Sequence, residues 1–229
     1  MKKTITKVLI LPLLVLSLSG CFLKSVHPLF TAEEAILLEG LDGTFENGDQ
    51  RWTFASDNNP KMLAELIRKY PDEDISFDPG EEDSLKMNAY LILFEETDEP
   101  NITPVLFLGK VGKLNGQYYL NLKLFDVDLG MSASPVITHR FNINTFSRID
   151  VQDSKLVMEH LESSWIKDQI LNNRVRIKHE VVQADYDDST EILITASTPE
   201  LQQFVEKYGD EEDAYQDPLT LKRVPDAVQ

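Results

Sequence analysis

A single cysteine, Cys21, stands in a chain of 229 residues, so no intramolecular disulfide can form and stability has to come from packing. Basic residues are also scarce: 22 Lys and Arg face 39 Asp and Glu, a formal charge of −17. Such a surface repels phosphate backbones and anionic head groups, which argues against nucleic acid as a partner and against electrostatic adsorption to a membrane. Phosphate-cradling glycine loops, dinucleotide fingerprints and the Gly-x-Ser-x-Gly elbow are all missing, and with them the local signatures of nucleotide chemistry and serine hydrolysis. Acids do cluster at Asp185, Asp187 and Asp188 and from Asp210 to Asp213. Without the twelve-residue spacing and central glycine of an EF-hand, these read as solvated loops. No cofactor is expected. What the chain does have is an ordinary hydrophobic fraction of 42%, enough for one sizeable core.

The longest opening apolar run, Val8 to Leu16, is too short to cross about 30 Å of hydrocarbon, which needs about 20 residues. Lys2, Lys3 and Lys7 precede it and small residues follow it up to Cys21, the layout of a cleavable secretory signal. Leu18-Ser19-Gly20-Cys21 resembles the lipobox of bacterial lipoproteins. The resemblance implies cleavage behind Gly20, lipidation of Cys21, and a lipid-anchored protein of the cell envelope. Phe22 stands where aspartate commonly retains such proteins at the inner membrane, which implies the outer membrane in a host with two. Stable anchoring by lipid takes more than one acyl chain, at about 0.8 kcal/mol per buried methylene. All three lysines lost with the signal are uncompensated by acids, so the chain from Cys21 onward has a formal charge of −20.

This divides the chain into a signal at 1–20, a lipidated N-terminus and tether at 21–35, and one β-rich domain at 36–229 with an insertion at 56–86. Pro28 breaks regular structure in the tether, which is apolar enough to lie on the domain. Ile36 to Phe45 and Arg51 to Ala55 read as strands of an opening hairpin around Asn47-Gly48-Asp49. Met62, Leu63, Leu66, Ile67 and Tyr70 follow Pro60 at helical spacing. Ala89 to Glu96 and Ile102 to Lys113 are apolar runs. Asn115-Gly116 then supplies a type I′ hairpin turn into Tyr118 to Leu124, whose alternation predicts one buried and one mostly wet face.

Further strands are expected around Ile137 to Ile143, at Lys155 to Leu161 after a turn near Val151 and Gln152, at Arg174 to Val182 and at Glu191 to Ala196. Ser163 or Ser164 can cap a helix ending at Asn172-Asn173, and Ser197-Thr198-Pro199-Glu200 fits a capping box for a last helix ending at Gly209. Leu219 to Val224 reads as a final edge strand. The whole predicts a mainly β fold, an antiparallel up-and-down meander forming a barrel or closed sandwich with two or three short helices.

Gly43-Thr44-Phe45 with Trp52-Thr53-Phe54 resembles the first strands of lipocalin-like barrels, with Phe45 in place of the usual tryptophan. The order of lipobox, His-Pro-Leu-Phe-Thr, strand meander and Thr-Ala-Ser-Thr-Pro-Glu-Leu resembles a group of uncharacterised bacterial lipoproteins, which implies no activity. The lipocalin resemblance implies a small apolar ligand held in the barrel.

Two candidate sites remain. His139, His160 and His179 fall on apolar faces of different strands, a possible ligand or metal set. The expected turn places His160 opposite residue 143, four residues from His139, or about 13 Å at 3.3 Å per residue. Zinc ligands must lie about 2 Å from the metal, so packed core or rim histidines are the simpler reading. Arg174, Arg176 and Lys178 put three cations on one strand face. They either balance neighbouring carboxylates or form a docking stripe for an acidic partner or a ligand carboxylate. The functional expectation is a binding or assembly-accessory role at the envelope, not an enzyme. The alternative is an envelope enzyme with a dispersed carboxylate or histidine site.

Overall fold

The computed structural model describes residues 22–69, 88–97, 104–125, 143–183 and 190–225. Gly20, Cys21, His139, all but Ile143 of the strand expected at 137–143, and the acidic run at 185–188 lie outside the described residues. The described part is mainly β, and its centre is a closed eight-stranded antiparallel barrel. The staves are β2 (Gly43–Asn47), β3 (Gln50–Ala55), β4 (Ala89–Glu96), β5 (Val105–Leu114), β6 (Gln117–Leu124), β7 (Asn144–Gln152), β8 (Lys155–His160) and β11 (Leu219–Arg223). Each pairs with the next, and β11 pairs back onto β2. The expected final edge strand is therefore the closing stave. Leu221 faces the interior with no exposure, and nothing in a local sequence pattern says that this strand returns to the first hairpin.

Eight strands enclose a space just wide enough for side chains to fill, and aromatic rings fill much of this one. Phe45 and Phe54 meet edge-on at 5.9 Å between centroids, and Trp52 stands 4.8 Å from Phe94 and 6.2 Å from Phe107. At Gly109 the fill is tight enough that a Cβ would come within 2.3 Å of the Ile92 side chain. One barrel end is covered by residues 37–41, whose Leu38 N–H donates to the Tyr90 hydroxyl at 2.6 Å. The first strand consequently starts at Gly43, not Ile36. Ile36 makes only an isolated bridge to Val111, and Leu37, Leu38 and Leu41 serve the core instead of a ladder.

Both expected turns form where left-handed residues allow them. Gly48 has φ +56°, and Asn115 and Gly116 have φ +47° and +84°, the two positive values a type I′ turn needs. Helix α1 (Pro60–Arg68) starts where the Asn59 side chain accepts the Met62 N–H at 3.2 Å. It covers the outer side of β4, which is why Leu91 and Leu93 are as buried as Tyr90 and Ile92 on the inner side.

A second layer covers the outside of β5, β6 and β7. It comprises β1 (Lys24–Ser25), α2 (Ser163–Leu171), β9 (His179–Gln183), β10 (Thr190–Ile194) and α3 (Thr198–Tyr208). Strand β1 pairs with β7 and, in parallel, with β10, which joins β9 and β10 to the barrel sheet. The segment after Cys21 is thus core material: Leu23, Leu29 and Phe30 are buried. Leu29 donates its N–H to Asn121 Oδ1 at 2.8 Å, Asn121 donates to Asn144 Oδ1 at 3.0 Å, and Asn144 donates to the Val26 carbonyl at 3.1 Å. This layer overturns the wet face expected for β6, because Tyr119 and Asn121 are each 2% exposed beneath it.

The β7–β8 turn falls at Asp153-Ser154, with Gln152 paired to Lys155, so His160 lies opposite Ser147 and not residue 143. The expected turn was misplaced because Val151 still packs against the barrel core and keeps the strand going. Glu162, not a serine, is the N-cap of α2, and no side chain caps it. Gly209 ends α3 with φ −68°, and is needed for space instead: a Cβ there would come within 2.5 Å of the Tyr119 hydroxyl.

Candidate binding groove

The three expected histidines do not form one site. His160 Nδ1 shares a hydrogen bond of 2.6 Å with the Ser147 hydroxyl, and the Phe22 ring meets it edge-on at 4.6 Å. Burial pushes its pKa down to about 4, so the ring is neutral near pH 7. Ser147 is only 2% exposed, whereas His160 is half-buried. His179, on β9, donates from Nδ1 to the Ile177 carbonyl at 2.8 Å. Among the described residues no three His, Cys, Asp or Glu side chains converge as metal ligands.

The cationic stripe does form part of a site. Helix α2 ends in a reversal at Asn173, which has φ +55° and donates its N–H to the Ile170 carbonyl at 2.9 Å, while the Arg174 N–H reaches the Gln169 carbonyl at 2.8 Å. This is the paired bonding of a Schellman motif, and it sends the chain out straight. Val175 is 5% exposed and Ile177 packs on the same cluster, which pins the segment while Arg174, Arg176 and Lys178 stay exposed. The alternation expected from Arg174 to Val182 holds as far as His179 and then fails, because Val181, expected on the apolar side, is exposed together with Val182. The ladder is shorter, starting at His179, because residues 175–178 have left β10 except for the Thr195 N–H to Lys178 carbonyl bond at 2.9 Å.

Helix α3 lies alongside this segment. The expected capping box forms between Ser197 and Glu200, and Ser197 donates its N–H and hydroxyl to the Glu200 carboxylate at 2.9 and 2.8 Å. These bonds, led by the backbone one and aided by Lys178, hold the Glu200 carboxyl down to about 2. Between the segment and the helix runs a groove of about 810 Å³, a volume typical of ligand sites. Phe204 and Val175 contribute apolar surface, and Arg174, Arg176 and Lys207 contribute positive charge.

The cations differ in their partners. Lys178 Nζ is 3.0 Å from the Glu200 carboxylate, and Lys207 lies over the Tyr208 ring at 4.8 Å. Arg174 and Arg176 have no ion pair with any described residue. Charge balance thus accounts for one of the three expected cations. Lys207 was not foreseen as a fourth. Its signal was the spacing of Gln203, Phe204 and Lys207, which places them on one helix face; only the packing of that face against residues 173–179 joins it to the stripe.

A smaller pocket of about 280 Å³ lies outside the barrel between α1 and β3. Four of its charged lining residues pair with one another, Arg51 with Glu46 at 2.5 Å and Lys69 with Glu95 at 3.7 Å. Comparison with protein-family models, with curated proteins and with solved structures finds no match.

Proposed function

We propose that this is a lipid-anchored cell-envelope protein with a binding or assembly-accessory role, and that the groove beside α3 is its recognition surface for an acidic partner. The observation that supports the groove most is the pair Arg174 and Arg176, exposed and without a carboxylate partner among the described residues, in a chain of formal charge −17. Two guanidiniums beside apolar surface suit a partner that offers carboxylates and apolar side chains together. The aromatic fill of the barrel favours this outer groove over the lumen as the place for a ligand. Attachment through Cys21 rests on the lipobox resemblance.

The test compares proteins captured from a cell-envelope extract by the wild type and by R174Q/R176Q/K178Q. Each exposed charge pair contributes about 0.2–1 kcal/mol, so losing three weakens a complex by roughly threefold to a hundredfold. An unchanged set of captured partners removes the groove from the function. For the anchor, Cys21→Ser abolishes acyl labelling and membrane retention; continued retention rejects it.

A further inference from the structure

We infer that the folded domain rests directly on a zwitterionic lipid surface, with Phe22 in the head-group layer and the start of α2 against it; this rests on Cys21 carrying the lipid anchor. No linker separates that anchor from the fold. Phe22, the residue after Cys21, already bridges Glu162, and the Leu23 N–H donates to the Leu161 carbonyl at 3.3 Å. One trans peptide unit puts the Cα atoms of Cys21 and Phe22 about 3.8 Å apart. A bilayer about 40–45 Å thick around about 30 Å of hydrocarbon leaves head-group layers of about 5–8 Å. Acyl chains carried on Cys21 itself therefore hold Phe22 within that layer.

The fold also resists yielding a linker from its own first residues. Leu23 is buried in the same cluster as Leu29 and Phe30, and Ser25 is buried where β1 joins β7 to β10. Beyond it, the Val26 carbonyl and the Leu29 N–H are held by Asn144 and Asn121. Lifting the domain off the lipid by a few residues would strip β1 from both neighbours and bring Leu23 into water. The short anchor and the fixed strand thus act together, and they select which face of the domain meets the bilayer.

That face carries an apolar ring with open surface. Phe22 meets His160 edge-on at 4.6 Å on one side, yet remains 43% exposed. The hollow it forms with Ser163, Lys167 and Ile192 measures about 40 Å³, too small for a ligand of its own. Charge around the ring leans negative: Glu162, Glu191 and the turn residues Glu212 and Asp213, joined to Glu162 through the Ala214 carbonyl, outnumber Lys24 and Lys167. Lys24 is already engaged by Glu191 at 2.7 Å. Anionic head groups would be repelled by such a face and zwitterionic ones would not. A second copy would bring the same acids to the contact, which opposes self-association there.

The test expresses the full chain in bacteria, purifies the acylated product and reconstitutes it in phosphatidylcholine vesicles that carry a nitroxide on some head groups. Ser163→Cys lies beside Phe22, and Ala64→Cys lies on α1 over β4, which stands opposite β8 in the closed barrel. Each is labelled with a maleimide fluorophore, to which an acylated Cys21 is inert. The expected result is quenching severalfold stronger at position 163 than at 64. A Gly-Ser linker of about twelve residues, roughly 20 Å in r.m.s. length, inserted between Cys21 and Phe22 brings position 163 down to the level of 64, with acyl labelling and thermal midpoint unchanged. Replacing part of the phosphatidylcholine by phosphatidylglycerol at low salt lowers the quenching at 163. Equal quenching at both positions, or quenching at 163 that the linker leaves unchanged, overturns the inference while acyl label on Cys21 keeps the anchor. Stronger quenching with phosphatidylglycerol overturns the zwitterionic assignment, and crosslinking of position 163 to a second protein in place of quenching overturns the lipid contact. A Cys21 that takes up the fluorophore and carries no acyl label overturns the anchor and the inference together.

Discussion

Placing a methyl group on Gly112 tests whether the segment after Cys21 is a working part of the core. Gly112 lies on β5, on the outer side of the barrel, and the Phe30 ring rests directly against it. A Cβ at position 112 would approach three ring carbons of Phe30 to 2.4, 2.4 and 2.6 Å. The ring is rigid and 2% exposed, so it cannot swing clear into solvent. Overpacking of this kind costs about 1–3 kcal/mol. Alanine in place of strand glycine would by itself gain about 0.4–1 kcal/mol by restricting the unfolded chain.

The clash outweighs the gain, and Gly112→Ala is expected to destabilise by roughly 0.5–2 kcal/mol, the balance of those two effects. Phe30→Ala alone should cost about 3–5 kcal/mol through its cavity. The double variant should cost less than the sum of the two by about 1–2 kcal/mol, because the new methyl group then enters vacated space. Urea unfolding at constant m value measures all four corners of the cycle. A neutral or stabilised Gly112→Ala, or additivity within about 0.5 kcal/mol, refutes the docking of Phe30 on this glycine.

Two further expectations concern the same layer. Burial holds the His160 pKa at about 4 in the folded protein against an ordinary 6.5, so the unfolded chain binds the extra proton between those values. Its contribution is whole above pH 6.5 and is lost as pH falls towards 4, by up to about 3 kcal/mol. His160→Gln should therefore flatten the decline in denaturant midpoint across that window relative to wild type, and parallel curves would refute it. Asn121→Leu strands the Leu29 N–H and one end of Asn144. It is expected to cost about 2–4 kcal/mol and to speed amide exchange at Leu29, and unchanged exchange there would contradict the bonding described.

Much of the barrel was legible because its signals are local. Asn115-Gly116 must turn, since both positions adopt positive φ, and Tyr118 to Leu124 must follow as a strand with Leu120 inward. Glu200 behind Ser197 and Pro199 marks the start of α3 for equally local reasons. The failures share a different cause. Tyr119 and Asn121 look like solvent-facing residues, and are buried because a distant N-terminal segment and α3 lie over them. Leu219 to Arg223 looks like an edge, and closes the barrel because β2 and β8, paired with β3 and β7 on one side, each leave the other edge for it. In the groove, alternation identified Arg174, Arg176 and Lys178, but Lys207 belongs to another element.

By itself, then, the sequence determined the β class, the turns at Gly48 and at Asn115-Gly116, the starts of α1 and α3, the cationic stripe and the acidic charge around it, because each depends on residues within a few positions of one another. Tertiary structure alone decided the closure by β11, the burial of the chain after Cys21, and the meeting of residues 173–179 with α3. Those depend on which surfaces remain uncovered once the staves have paired, a property of the assembled chain that no local pattern encodes.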